Sequence, residues 1–151
     1  MKKLMIIFLI SMFLITGVAA EKEKPDTVNE LVKFVPLHIY IDSGNAELAA
    51  YQFELKAAAG QIKIVGVEGG DNEAFKEPGY YDPAALFNDR IIIASFNTGT
   101  ELPMGLVRVA TVHLQVVGNV EPQYLVELIV AANGEGKEIP AGILFEQGEI
   151  K

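Results

Sequence analysis

Residues 46–70 read AELAAYQFELKAAAGQIKIVGVEGG, and this stretch decides the fold class. From Ala49 to Lys56 the residues alternate strictly. Ala49, Tyr51, Phe53 and Leu55 fall on one side, and Gln52, Glu54 and Lys56 on the other. A two-residue period with one apolar side is the pattern of a half-buried β-strand. A second run, Gln61 to Val67, sets Ile62 and Ile64 opposite Lys63 and Val65. Ala57-Ala58-Ala59-Gly60 separates the two runs as a small-residue break. Two strands that each need cover for one apolar face are the seed of a sandwich of sheets.

The same period recurs outward from this stretch. Leu37, Ile39 and Ile41 alternate with His38 and Tyr40. The turn Asp42-Ser43-Gly44-Asn45 links this strand to the next, since Asp and Asn side chains bond nearby backbone and Gly accepts positive φ. Arg90–Phe96, Gly105–Val117, Tyr124–Ala131, Ile139–Phe145 and Glu149–Lys151 read as further strands. In the longest, Ala110, Val112, Leu114 and Val116 share a face, and Val107 and Val109 fall out of phase with it. That slip predicts a β-bulge, or a switch of buried face, near Val109. Asp82-Pro83-Ala84-Ala85-Leu86 reads as one helical turn, with Asp82 as N-cap and Pro83 at the first helical position. About eight short strands, with no long amphipathic helix after the N-terminus, predict an all-β fold. It is an antiparallel β-sandwich of jelly-roll type with eight to nine strands.

The first twenty residues stand apart. Lys2 and Lys3 precede an apolar run from Leu4 to Ile15, broken only by Ser11, and Gly17-Val18-Ala19-Ala20 follows. This is the layout of a secretory signal peptide cleaved after Ala20. An uncleaved anchor is the rival, and the apolar run is short for it. Residues 21–35 read as an N-terminal linker and 36–151 as the sandwich domain. The chain carries a formal charge of -8, and removal of Lys2 and Lys3 leaves 10 basic residues against 20 acids, or -10. Such a surface repels phosphate backbones and anionic headgroups, so neither nucleic acid nor, after signal cleavage, a membrane is an expected partner. There is no cysteine, so the domain depends on its core rather than on disulfides. The expected location is outside the cell or in its envelope.

Together the strand sequences resemble a known family. Leu48–Leu55, Ile64–Gly70 running into a glycine loop, Arg90–Phe96 followed by Val109–Val116, and Gly136–Pro140 followed by Gln147–Ile150 carry the likeness. Their order and spacing resemble the cohesin-like, carbohydrate-binding-type β-sandwich of secreted bacterial proteins. The chain departs from that pattern at Ala57–Gly60, where the family commonly has an aromatic-Asp-Pro turn. The resemblance implies the fold and a general binding role, towards a protein or a polysaccharide. It does not extend to a dockerin partner or to interface residues.

Residues able to carry chemistry are sparse. His38 and His113 lie on strands without a second histidine or a cysteine at metal-ligand spacing, and read as solvent-facing. Ser43 sits in a turn and Ser95 in a strand, neither in a nucleophile-elbow context. Glu127 alternates with apolar neighbours and reads as one residue of an exposed face. No enzyme is predicted and no cofactor. Calcium is considered for the oxygen-rich turns at Asp42, Asp71 and Asn133, with plain turn chemistry preferred because none follows an EF-hand pattern. The candidate ligand-binding residues are the aromatics of one long connection: Phe75, Tyr80, Tyr81 and Phe87. Exposed, they would suit a sugar ring or a protein partner. Folded inward, they would plug one end of the sandwich, and a connection of this length needs such an anchor. The expected function is therefore a secreted, non-enzymatic binding module for a protein or polysaccharide. The alternative is a structural or assembly subunit that pairs through a free sheet edge.

Overall fold

The computed structural model describes residues 31–149, and the signal-peptide segment and most of the linker lie outside them. Seven strands follow in order: β1 (Val32–Asp42), β2 (Ala50–Ala59), β3 (Gln61–Gly69), β4 (Arg90–Phe96), β5 (Leu106–Val117), β6 (Gln123–Ala132) and β7 (Gly142–Gln147). They form a four-stranded sheet in the order β3-β5-β1-β7 and a three-stranded sheet in the order β4-β2-β6. Every pairing is antiparallel. Odd-numbered strands make one sheet and even-numbered strands the other, so each connection carries the chain across the sandwich.

The core is what the alternation predicts. Val35, Leu37, Ile39 and Ile41 of β1 and Val112, Leu114 and Val116 of β5 meet Tyr51, Phe53, Leu55, Ile91 and Ile93 from the opposite sheet, all buried. Of the two readings of the phase slip, the bulge is present: Ile39 pairs with Ala110 and Tyr40 with Arg108, which leaves Val109 as the extra residue. The bulge turns Val109 inward beside Ala110, and both are fully buried. Tyr51 reaches from β2 across the core and donates its hydroxyl to Val109 O at 3.0 Å. That bond satisfies a carbonyl at the irregular step and ties the two sheets together. Burial pushes the phenol up to about 12 from its ordinary 10.0.

Four boundaries differ from the sequence reading. The sandwich begins at Val32, so residues 32–35 belong to β1 rather than to a linker. Pro36 is tolerated there because β7 pairs with β1 only from Leu37 onward, and Gly148 N meets the proline carbonyl at 2.9 Å. The alanine-rich break is not a loop: β2 continues through Ala59, and Gly60 alone turns the chain into the other sheet at φ +79°. A Cβ at Gly60 would lie 2.8 Å from Pro122 Cα. The last strand starts at Gly142 instead of Ile139, after Pro140. Seven strands stand in place of eight to nine. The eighth expected run, 149–151, has Glu149 outside any strand and its other two residues outside the described ones.

The long β3–β4 connection seals one side of the sandwich. Gly70 N donates to Phe75 O at 2.7 Å, Phe87 N to Ile64 O at 2.7 Å, and Ile64 N to Asn88 O at 2.8 Å, which occupies the edge of β3. Tyr80 and Ala94 exchange backbone hydrogen bonds at 2.7 and 2.9 Å, which occupies part of the edge of β4. At the opposite side β6 meets β7, where the rings of Tyr124 and Phe145 pack edge to face at 5.9 Å.

Candidate functional site

The four aromatics of the β3–β4 connection do not form one cluster. Phe75 closes the short 3-10 turn Glu73–Phe75, whose N-cap Asn72 accepts a hydrogen bond from Ala74 N at 2.9 Å. That turn aims the ring inward, where it is 1% exposed and packs edge-on against Tyr51 at 5.1 Å. Tyr81 is half-buried and packs against the core. Both rings therefore follow the inward alternative and anchor the connection, Phe75 from within the core and Tyr81 from its margin. The physical reason is the one anticipated for a long connection, that its backbone needs an apolar fixing point.

Tyr80 and Phe87 face solvent, each 69% exposed, and at different places. Tyr80 extends the three-stranded sheet by one rung beside Ala94. This puts its ring over the outer face, where it stacks on Phe96 with centroids 5.8 Å apart and ring planes 14° from parallel. Phe96 is itself 61% exposed. The sequence reading missed Phe96 because it sits sixteen residues away, at the end of an isoleucine-rich strand. Only the Tyr80–Ala94 bridge makes the two rings neighbours. Beside the pair, Ala94 is opposite Gln52 on β2, and Gln52 is opposite Val130 on β6. The next rung places Glu54 between Ile92 and Glu127. Two carboxylates on adjacent strands repel, and Arg90 and Lys56 offset this by pairing with Glu54. The Arg90 guanidinium hydrogen-bonds to Glu54 and holds its carboxyl below the usual range. The result is an outer face with an aromatic pair at one end and a compensated charge group at the other.

The remaining sequence candidates are engaged locally. Both histidines lie on the outer face of the four-stranded sheet, half-buried rather than open to solvent. His38 Nδ1 is 2.9 Å from Thr111 Oγ1, and His113 Nε2 is 3.1 Å from Glu68 Oε1. Thr111 is buried, so its hydroxyl is not presented to a substrate. Ser43 is buried and donates to Ala46 O at 2.8 Å. The calcium candidates serve their own turns: Asp42 Oδ1 accepts from Gly44 N at 3.0 Å, and Asn133 Oδ1 accepts from Glu135 N at 3.1 Å and Lys137 N at 3.0 Å. Asp71 pairs with Arg108. Among the described residues no three His, Asp or Glu side chains converge as a metal site.

Comparisons with protein-family models, with curated proteins and with solved structures find no match to this chain. The functional reading therefore rests on the geometry of its own side chains.

Proposed function

We propose that this chain is an exported, non-enzymatic binding module that recognises a polysaccharide, or a protein partner of cohesin type, through its aromatic face. The observation that supports this reading is the Tyr80–Phe96 stack, two nearly parallel rings left mostly in solvent at a sheet surface. Leaving that much aromatic surface wet is unfavourable unless a partner covers it. Flat apolar rings with a polar tip suit the C–H face of a sugar, and the neighbouring Gln52 amide supplies a donor and an acceptor for hydroxyls. The polysaccharide is preferred on those grounds. The test is a screen of the purified protein against a panel of soluble polysaccharides, with Tyr80→Ala/Phe96→Ala alongside. Binding that disappears in the variant while its melting temperature is kept supports the platform. Binding that survives in the variant removes it, and no binding to any glycan transfers the reading to a protein partner.

A second reading, assembly through a sheet edge, draws on the β6–β7 side. Leu125, Ile129, Val130, Leu144 and Phe145 are all exposed there, whereas the β3–β4 side is covered by its connection. Exposed apolar edge strands template pairing with another chain. Sedimentation of the parent and of Leu125→Lys/Leu144→Lys separates the two readings. A concentration-dependent dimer lost in the variant favours assembly, and a monomer in both disfavours it.

A further inference from the structure

At the far end of β4 from Phe96, a cleft of roughly 450 Å³ opens between the start of β3, the end of β5 and the segment leading into β4. Its wall includes Gln61, Lys63, Phe87, Asn88, Asp89 and Gln115. Phe87 is the one non-glycine residue with positive φ among the described residues, at +67°. L side chains avoid this region, and a bulky one is an outlier there, while glycine adopts it without strain. Burial does not compensate the strain, because the ring is 69% exposed. The backbone is nevertheless held firmly. Phe87 N donates to Ile64 O at 2.7 Å, Ile64 N donates to Asn88 O at 2.8 Å, and Asn88 Nδ2 donates to Ala84 O at 2.6 Å. Local strain of this kind persists where the surroundings over-determine it, and it gathers at ligand clamps.

We propose that the Phe87 cleft is a saccharide subsite that takes one neutral sugar ring against the face of Phe87. The primary amides of Gln61, Gln115 and Asn88 each donate and accept, as sugar hydroxyls do. Among the described residues, the side-chain hydrogen bonds made by these three amides reduce to the one from Asn88 to Ala84, so the Gln61 and Gln115 amides remain for a ligand. Lys63 and Asp89 bring opposite charges to the wall, which selects a neutral polar ligand over an ion. The inference rests on the polysaccharide reading and adds a second point of contact to it. β4 runs from Arg90 beside the cleft to Phe96 at the platform, a separation of about 20 Å at the rise of an extended strand. The cleft's Gln61, Lys63 and Gln115 lie on the outer side of the four-stranded sheet and the platform on that of the three-stranded sheet, so the two are separate points of contact.

The test uses the full-length protein in a zwitterionic detergent, which adds no sugar of its own. Cellohexaose, xylohexaose, mannohexaose and chitohexaose are titrated by calorimetry into the parent, Phe87→Gly, Gln61→Ala/Gln115→Ala and Tyr80→Ala/Phe96→Ala, and each protein is melted separately. The expected result is that Phe87→Gly melts at or above the parent temperature and binds about tenfold or more weakly. Gln61→Ala/Gln115→Ala is expected to weaken the same ligand without a change in melting. If Phe87→Gly were to unfold, the glutamine variant on the other wall decides, and unchanged affinity there overturns the proposal. Parent-like binding by Phe87→Gly with binding lost in Tyr80→Ala/Phe96→Ala overturns the cleft and leaves the platform standing. A parent that binds none of the four overturns both.

Discussion

At the residue scale, Tyr51 shows how one side chain serves packing and polarity at once. Its ring lies in the core against Phe53 and Phe75, and its hydroxyl satisfies Val109 O at the bulge. Tyr51→Phe keeps the ring and strands that carbonyl, so a loss of about 1–2 kcal/mol is expected in urea unfolding at neutral pH. The same residue sets an alkaline limit. Its folded value of about 12 lies above its ordinary 10.0, so between those values the unfolded chain has released a proton that the folded chain keeps. Stability must then fall as pH rises through that window, by up to about 3 kcal/mol at its upper end. Unfolding curves at pH 7 and pH 11 check this, and Tyr51→Phe should lose less over the same interval than the parent. Phe87 is the converse case. A bulky residue at positive φ costs about 1–2 kcal/mol, and the exposed ring returns little of it. Phe87→Gly is therefore expected to hold or raise the unfolding free energy, even though glycine also frees the unfolded chain.

At the scale of elements, the β3–β4 connection is a clamp more than a loop. Phe75 enters the core, Tyr81 packs against it, a Gly70–Phe75 backbone bond closes the connection on itself, and backbone bonds to Ile64 and Ala94 occupy two strand edges. Phe75→Ala removes the deepest of these contacts. A cost of about 3–5 kcal/mol is expected from the loss of a buried phenylalanine ring. The amides of Gly70, Tyr80 and Phe87 should exchange faster than those of β1 and β5 in that variant, which hydrogen exchange would read directly. Equal protection across all of them would show that the connection does not depend on the plug. The clamp also explains why the exposed aromatics are usable. Tyr80 and Phe87 are held by backbone bonds to the sheets, so little ordering remains for a ligand to impose.

At the scale of the whole molecule, each connection crosses between the sheets, so nearly every strand pairing joins residues far apart in the chain. Val32 pairs with Val117 and Ala50 with Ala132. Such pairings must close long loops before they return any stability, and the main refolding phase is expected in about the millisecond-to-second range. Stopped-flow refolding from urea measures it, and a main phase in microseconds would contradict the topology. The charge of -8 keeps copies apart at low salt, so any pairing through β6 and β7 should strengthen as salt is added.

What the sequence by itself determined is local. Strict alternation named the buried faces of β1, β2 and β5, and the phase slip located an irregularity at Val109 that the pairing with β1 resolves as a bulge, because side chains on a strand alternate whatever its neighbours are. The Asp82 cap was legible for the same reason: its side chain accepts from Ala84 N, two residues away, at 2.9 Å. What only the tertiary structure decided is which strands share a sheet and which aromatics stay outside. The break at Gly60 separates strands of opposite sheets, Phe75 turns in while Tyr80 turns out five residues later, and Phe96 becomes the partner of Tyr80. No period in the chain encodes these outcomes. They depend on which backbone edges and which cavities happen to be near once the sheets have closed, and those are contacts between residues that the sequence sets far apart.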